Sequence, residues 1–159
     1  MTLILIADDH PIAREPLAKL LSYEGYETAC AANGIEALDA VRARRPDLIL
    51  LDLMMPKMNG LAFLRAISRS PSGSRCPSGA GYEAGQEAGH DAAGHPGVPE
   101  AGDVPVILLT GITDCSDVQQ ARELGVREVI PKAKFTVDEL LRRIRSHLPE
   151  VDRVAGNAA

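Results

Sequence analysis

The run Leu48-Ile49-Leu50-Leu51-Asp52 sets four aliphatic side chains in succession and closes them with a carboxylate. A strand with no polar side of its own suits the interior of a parallel sheet, where helices cover both faces. Three further stretches share this build. Leu3-Ile4-Leu5-Ile6-Ala7 leads into Asp8 and Asp9, Val106-Ile107-Leu108-Leu109 into Thr110, and Val129-Ile130-Pro131 into Lys132. As neighbouring parallel strands they would bring Asp8, Asp9, Asp52, Thr110 and Lys132 to one edge of the sheet. Open α/β sheets hold their sites at that edge, beyond the carboxyl ends of the strands.

Between these runs the apolar spacing turns helical. Pro11 is placed to open a helix that carries Ile12, Leu17, Leu20 and Leu21 toward the core and kinks at Pro16. A second strand fits residues 27–31. Asn33, with Glu36 three residues on, caps a helix whose apolar face is Ala37, Leu38 and Val41, and Pro46 marks its stop. Leu61, Leu64 and Ile67 define the next helix. After a fourth strand over 104–109, Val118, Ala121 and Leu124 define another, which Gly125 can end in a left-handed turn. A last strand over 126–131 precedes a helix capped by Thr136 and Glu139, with Val137, Leu140, Leu141, Ile144 and Leu148 inward. Strand and helix alternate throughout, which predicts a doubly wound parallel α/β sheet.

The 159 residues suffice for one ordinary domain. That domain is expected over 1–148, interrupted at 70–102 by a Gly/Ala/Ser/Pro-rich insertion and followed by a flexible tail at 149–159. Within the insertion a four-residue repeat runs from Gly81 to Ala92. Each interior Gly there would weaken a helix by about 1 kcal/mol relative to Ala, so the insertion is expected to be mobile. A net charge of -5 and the absence of Trp give no electrostatic reason to bind nucleic acid. Met1-Thr2-Leu3 lacks a basic flank and Asp8 cuts the first apolar run short, so no secretion signal or membrane span is expected and the cytoplasm is the simplest compartment.

Other residues draw plainer readings. Cys30, Cys76 and Cys115 are too few and too scattered for a disulfide framework, and Cys30 is expected to pack within its strand. Met54, Met55 and Met58 read as adaptable filler, and Arg142, Arg143 and Arg145 as a solvated face. His10, beside the acidic pair, reads first as a surface histidine, with lining of the site as the alternative.

Asp8 and Asp9 brought near Asp52 would concentrate negative charge that a hard divalent cation relieves. Mg²⁺ takes one or two carboxylates and keeps several waters, which suits a small open oxygen site. Phosphoryl transfer needs positioning and neutralisation of spread charge, for which the Lys132 amine and the Thr110 hydroxyl are apt. The product on Asp52 would be an aspartyl phosphate.

The phrases Ala7-Asp8-Asp9-His10-Pro11, Asn33-Gly34-Ile35-Glu36-Ala37-Leu38, Asp47 to Pro56, Asn59-Gly60 and Val104 to Thr110 occur in order across residues 3–69 and 103–148. In this the chain resembles the receiver domain of two-component response regulators. The resemblance implies a five-stranded, flavodoxin-like sheet in the order 2-1-3-4-5. It implies Asp52 as phosphoacceptor, Asp9 as a direct Mg²⁺ ligand, Asp8 acting through water, and the backbone carbonyl of Met54 as a further ligand. Thr110 and Lys132 would grip the phosphoryl oxygens. Implied partners are a sensor histidine kinase or histidine phosphotransfer protein and a downstream protein target, without direct contact to nucleic acid or membrane.

Two positions depart from the family pattern. Val129 stands where receivers usually carry an aromatic residue that swings inward on activation. Ala133 stands where they carry a proline joined by a cis peptide, a geometry that costs about 3 kcal/mol or more before a non-proline residue. The expected protein is a stand-alone switch, not an enzyme. The alternatives are an adaptor indifferent to phosphorylation and a phosphatase with Asp52 as nucleophile. The second is disfavoured, because haloacid-dehalogenase-like phosphatases carry another Asp where this chain has Met54.

Overall fold

The computed structural model describes residues 1–68, 104–111 and 115–148. Five strands and five helices alternate along it: β1 (Leu3–Ala7), α1 (Pro11–Tyr23), β2 (Glu27–Ala31), α2 (Gly34–Ala43), β3 (Leu48–Leu51), α3 (Gly60–Ser68), β4 (Val106–Thr110), α4 (Cys115–Glu123), β5 (Glu128–Pro131) and α5 (Val137–His147). Every pairing is parallel and the strand order is β2-β1-β3-β4-β5, the expected doubly wound sheet. The 70–102 insertion, the 149–159 tail and Cys76 lie outside the described residues.

The unbroken aliphatic runs occupy the middle of the sheet, where every residue of β1, β3 and β4 is buried. Alternation along each strand sorts these side chains onto two faces. Leu5, Ile49, Leu51 and Leu108 meet Ala37, Val41, Phe63 and Ala121 of α2, α3 and α4. Ile4, Ile6, Leu48, Leu50 and Ile107 meet Leu21, Leu140 and Ile144 of α1 and α5. The edge strands β2 and β5 are only partly covered.

The helix ends follow the sequence signals. Asn33 Oδ1 accepts from the Glu36 amide at 3.0 Å, while Glu36 Oε2 accepts from the Ala32 amide at 2.8 Å. Thr136 Oγ1 accepts from the Glu139 amide at 3.2 Å. Gly125 ends α4 at φ 100°, a left-handed conformation that favours glycine. α1 runs through Pro16 as one helix, although proline there supplies no amide to the Ile12 carbonyl.

Several side chains depart from their expected places. Ile12 is 89% exposed. It lies nine residues before Leu21, which at 3.6 residues per turn puts it on the opposite side of α1. Val137, at the first position of α5, is also exposed, whereas Phe63 is fully buried in the core. Cys30 is exposed because β2 is an edge strand. Two arginines of the basic run on α5 are engaged rather than simply solvated. Arg143 bonds to Glu128 of β5 and to Glu139, and Arg145 Nη2 lies 2.5 Å from Glu24 Oε2 at the end of α1.

Candidate active site

Register decides where the polar residues emerge. Ala7 pairs with Leu51 across β1 and β3, so Asp8 and Asp52 leave adjacent strands side by side. The Asp52 amide still bonds to the Ala7 carbonyl at 2.8 Å, and the Asp8 amide to the Ala31 carbonyl at 3.0 Å. On the other flank Thr110 pairs with Pro131, and the Lys132 amide bonds to the Thr110 carbonyl at 2.9 Å. Asp8, Asp52 and Thr110 are three of the four buried polar or charged residues among the described residues. The expected edge is thus assembled from four strand ends.

The Lys132 side chain crosses this edge. Its Nζ lies 2.7 Å from Asp8 Oδ2 and 2.9 Å from Asp52 Oδ2. Burial alone would lower the basicity of this amine, but the hydrogen bonds and negative charges of Asp8 and Asp52 outweigh it and raise its pKa above the ordinary lysine value. Asp8 Oδ1 accepts from the His10 amide at 2.9 Å, and Asp52 Oδ1 accepts from the Met54 amide at 3.2 Å. Both buried carboxylates are therefore satisfied at each oxygen.

Asp9 differs. Its Oδ1 is buried and accepts no hydrogen bond. His10 Nδ1 stands 2.7 Å away without the alignment of a hydrogen bond. Carboxylate oxygens of Asp8, Asp9 and Asp52 and a ring nitrogen of His10 gather within 4.8 Å of one another. Three carboxylates outnumber the Lys132 ammonium and the Arg14 guanidinium that reaches the Asp8 carbonyl, which leaves a net negative charge, and an orphaned buried oxygen needs a partner. The residues present therefore fit a divalent cation. Asp9 has the oxygen to give directly, while Asp8 is already committed to Lys132 and the His10 amide.

The loop from Asp52 to α3 is held by close backbone approach. A Cβ on Gly60 would fall 2.5 Å from the Asp52 carbonyl oxygen and 2.9 Å from Leu53 Cα. One on Gly34 would fall 2.6 Å from Met58 Cγ, and the Gly34 amide bonds to the Met58 carbonyl at 2.9 Å. Asn59 Oδ1 accepts from the Ala62 amide at 2.8 Å and so caps α3. Lys57 takes φ 64°, a left-handed conformation that is strained for a residue with a Cβ. In the sequence Asn59-Gly60 stands only as one phrase of the family pattern, whereas the need for glycine comes from contact with Asp52.

Met54, at the site through its amide, exposes its side chain, whereas Met55 is buried and Met58 packs on the core. Arg14 reaches back from α1, its Nη1 2.5 Å from the Asp8 carbonyl oxygen, a contact that the sequence reading did not anticipate. Val129 is partly buried against the α2, α3 and α4 side of the sheet. Among the described residues no peptide is cis, so Lys132 and Ala133 are joined in trans.

Residues 4–78 match the family model of the response regulator receiver domain. The DNA-binding response regulator MtrA of Mycolicibacterium smegmatis is 36% identical over 145 residues, which cover 91% of this chain and 50% of that protein. The chain thus spans about half the length of the curated relatives it matches. The signal receiver domain of a signal transduction histidine kinase from Syntrophus aciditrophicus superposes with a TM-score of 0.69 at 29% identity, covering 100% of this chain and 98% of that one. The response regulator TrrA from Thermotoga maritima, solved in complex with Mg²⁺-BeF, does so at 0.66 and 28% identity, covering 93% of this chain and 100% of that one. With the same strand order and an acidic, lysine-bridged pocket at the same sheet edge as its sequence phrases imply, this chain belongs to the receiver-domain family of two-component response regulators.

Proposed function

We propose that Asp52 accepts a phosphoryl group from a histidine kinase or histidine phosphotransfer protein and that the phosphorylated domain switches the binding of a downstream partner. The observation that carries this reading is the Lys132 ammonium held between the buried carboxylates of Asp8 and Asp52, next to an Asp9 oxygen that lacks a donor. An Asp52 oxygen attacks phosphorus and forms the new O–P bond as the bond from phosphorus to the donor atom breaks, and the donor leaves with that electron pair. Lys132, already 2.9 Å from Asp52 Oδ2, then meets phosphoryl oxygens, as does the Thr110 hydroxyl. Mg²⁺, held by Asp9 directly, by Asp8 through water, by Asp52 and by the Met54 carbonyl, would neutralise charge on the transferred group.

In this reading the chain is a phosphoacceptor in the cytoplasm, not a turnover enzyme, and it should not hydrolyse p-nitrophenyl phosphate. The expectation of a stand-alone protein free of nucleic acid finds no support in relatives that are named as DNA-binding regulators and are about twice its length. Their name favours a second output, in which the same switch controls binding to DNA.

Beryllofluoride with Mg²⁺, followed by amide NMR, tests the site. Asp52, Thr110 and Lys132 should shift together, and Asp9→Asn should abolish the response. An undiminished response in Asp9→Asn would overturn the assignment.

A further inference from the structure

The turn from β1 into α1 carries both Asp8 and Asp9, and the peptide between them has an anchor outside the sheet. Bonding between β1 and β2 runs as far as the Asp8 amide, which donates to the carbonyl of Ala31, the last residue of β2. Beyond Ala31 the chain turns into α2, and the Ala32 amide donates to Glu36 Oε2. The carbonyl of the buried Asp8 thus stands past the end of this ladder, where it needs a donor from elsewhere. Arg14 supplies one, with Nη1 2.5 Å from the Asp8 carbonyl oxygen.

The helix places Arg14 for this contact. Its amide donates to the His10 carbonyl at 2.9 Å in the first turn of α1, and helical side chains lean toward the N-terminus of their helix. The guanidinium therefore folds back over the turn. A peptide is planar, so a fixed Asp8 carbonyl also fixes the Asp9 amide and the direction in which Asp9 leaves the backbone. The Asp8 carboxylate has Lys132 and the His10 amide to hold it. Asp9 has the exposed His10 ring 2.7 Å away, and its buried Oδ1 accepts no hydrogen bond among the described residues, so its aim depends on the backbone beneath it.

We infer that Arg14 is a positioning residue for phosphoryl transfer: it clamps the Asp8–Asp9 peptide and thereby aims the Asp9 carboxylate. The inference rests on the reaction proposed above, and Arg14 acts in it through the backbone. The sign of its effect separates this role from others. A guanidinium near a bound cation repels it, so a role through charge alone would make Mg²⁺ bind more tightly once Arg14 is lost. A role in folding alone would lower stability and leave the Mg²⁺ requirement unchanged. Positioning makes that requirement rise.

The test measures the rate of Asp52 labelling by acetyl phosphate in the full-length chain across Mg²⁺ concentrations, by intact-protein mass spectrometry. Arg14→Met keeps a long stem and removes the donors. It should raise the Mg²⁺ needed for half-maximal rate about tenfold and leave the rate at saturating Mg²⁺ within about twofold of wild type. Arg14→Lys, which keeps a charged donor, should recover part of this shift. Arg14→Gln, shorter and neutral, should match Arg14→Met and decides the question if the apolar variant does not fold, with urea midpoints reporting the fold of each. An unchanged or lowered Mg²⁺ requirement in the folded variants would overturn the positioning role and leave the reaction standing, since wild type would still need Mg²⁺. Wild-type labelling that is absent or indifferent to Mg²⁺ would overturn both.

Discussion

Lys132 sets the charge balance of the site. In Lys132→Met, Asp8 and Asp52 would face each other buried and without their shared cation. The expected loss of stability without metal is about 1–3 kcal/mol, below the range for a fully buried pair because Lys132 is partly exposed. Mg²⁺ should recover part of it, since a ligand of the folded state stabilises by mass action. The pH dependence has a fixed sign. A lysine whose pKa is raised on folding contributes fully below its unfolded value of about 10.4 and loses that contribution as pH rises through the higher folded value. The gap in urea midpoint between wild type and Lys132→Met should therefore hold from about pH 7 to 9 and narrow above about 10.5. A gap that closes below pH 9 would contradict this.

Cys30 makes a second point at this scale. Partial burial pushes its thiol up, with Arg14 opposing and Glu15 adding, so little thiolate is present at neutral pH. Although it lies on the surface, it should alkylate with iodoacetamide more slowly than an unstructured peptide cysteine, as peptide mapping can read. That Asp8, Asp9 and Asp52 meet at one sheet edge was legible in the sequence, because each stands at the end of an apolar run. The surroundings of Ile12 and Cys30 were not, because they depend on which helix face and which strand the fold leaves uncovered.

The loop between β3 and α3 determines how Asp52 is presented. Gly60→Ala would drive a Cβ into the Asp52 backbone, so it should destabilise by about 1–3 kcal/mol despite the better helix propensity of alanine, and should slow labelling at Asp52. Gly111→Ala is the control. Among the described residues nothing lies within 4 Å of its added Cβ, and stability should stay within about 0.5 kcal/mol, as urea titration can show. Equal losses in the two would mean that the Gly60 contact has no special role. Strands β1, β3 and β4 were readable because burial on both faces leaves an unbroken aliphatic run. The start of β5 was less so: Val126 is buried yet precedes the paired segment, which begins at Glu128. Helix caps at Asn33 and Thr136 were readable because the signal is local, whereas the glycine contacts at 34 and 60 are tertiary.

At the scale of the molecule, two apolar layers enclose one parallel sheet among the described residues. Replacing 70–102 by a short turn should leave cooperative unfolding and labelling at Asp52 intact, because loop length enters stability only logarithmically. Loss of either would show that the insertion takes part in the domain. The central claim is that the sheet edge presents Asp52 to a phosphoryl donor beside a divalent cation. Its most direct test is intact-protein mass spectrometry after incubation with acetyl phosphate. The account predicts one added phosphoryl group that maps to Asp52, requires Mg²⁺ and is absent from Asp52→Asn, whereas equal labelling of Asp52→Asn, or labelling indifferent to Mg²⁺, would contradict it.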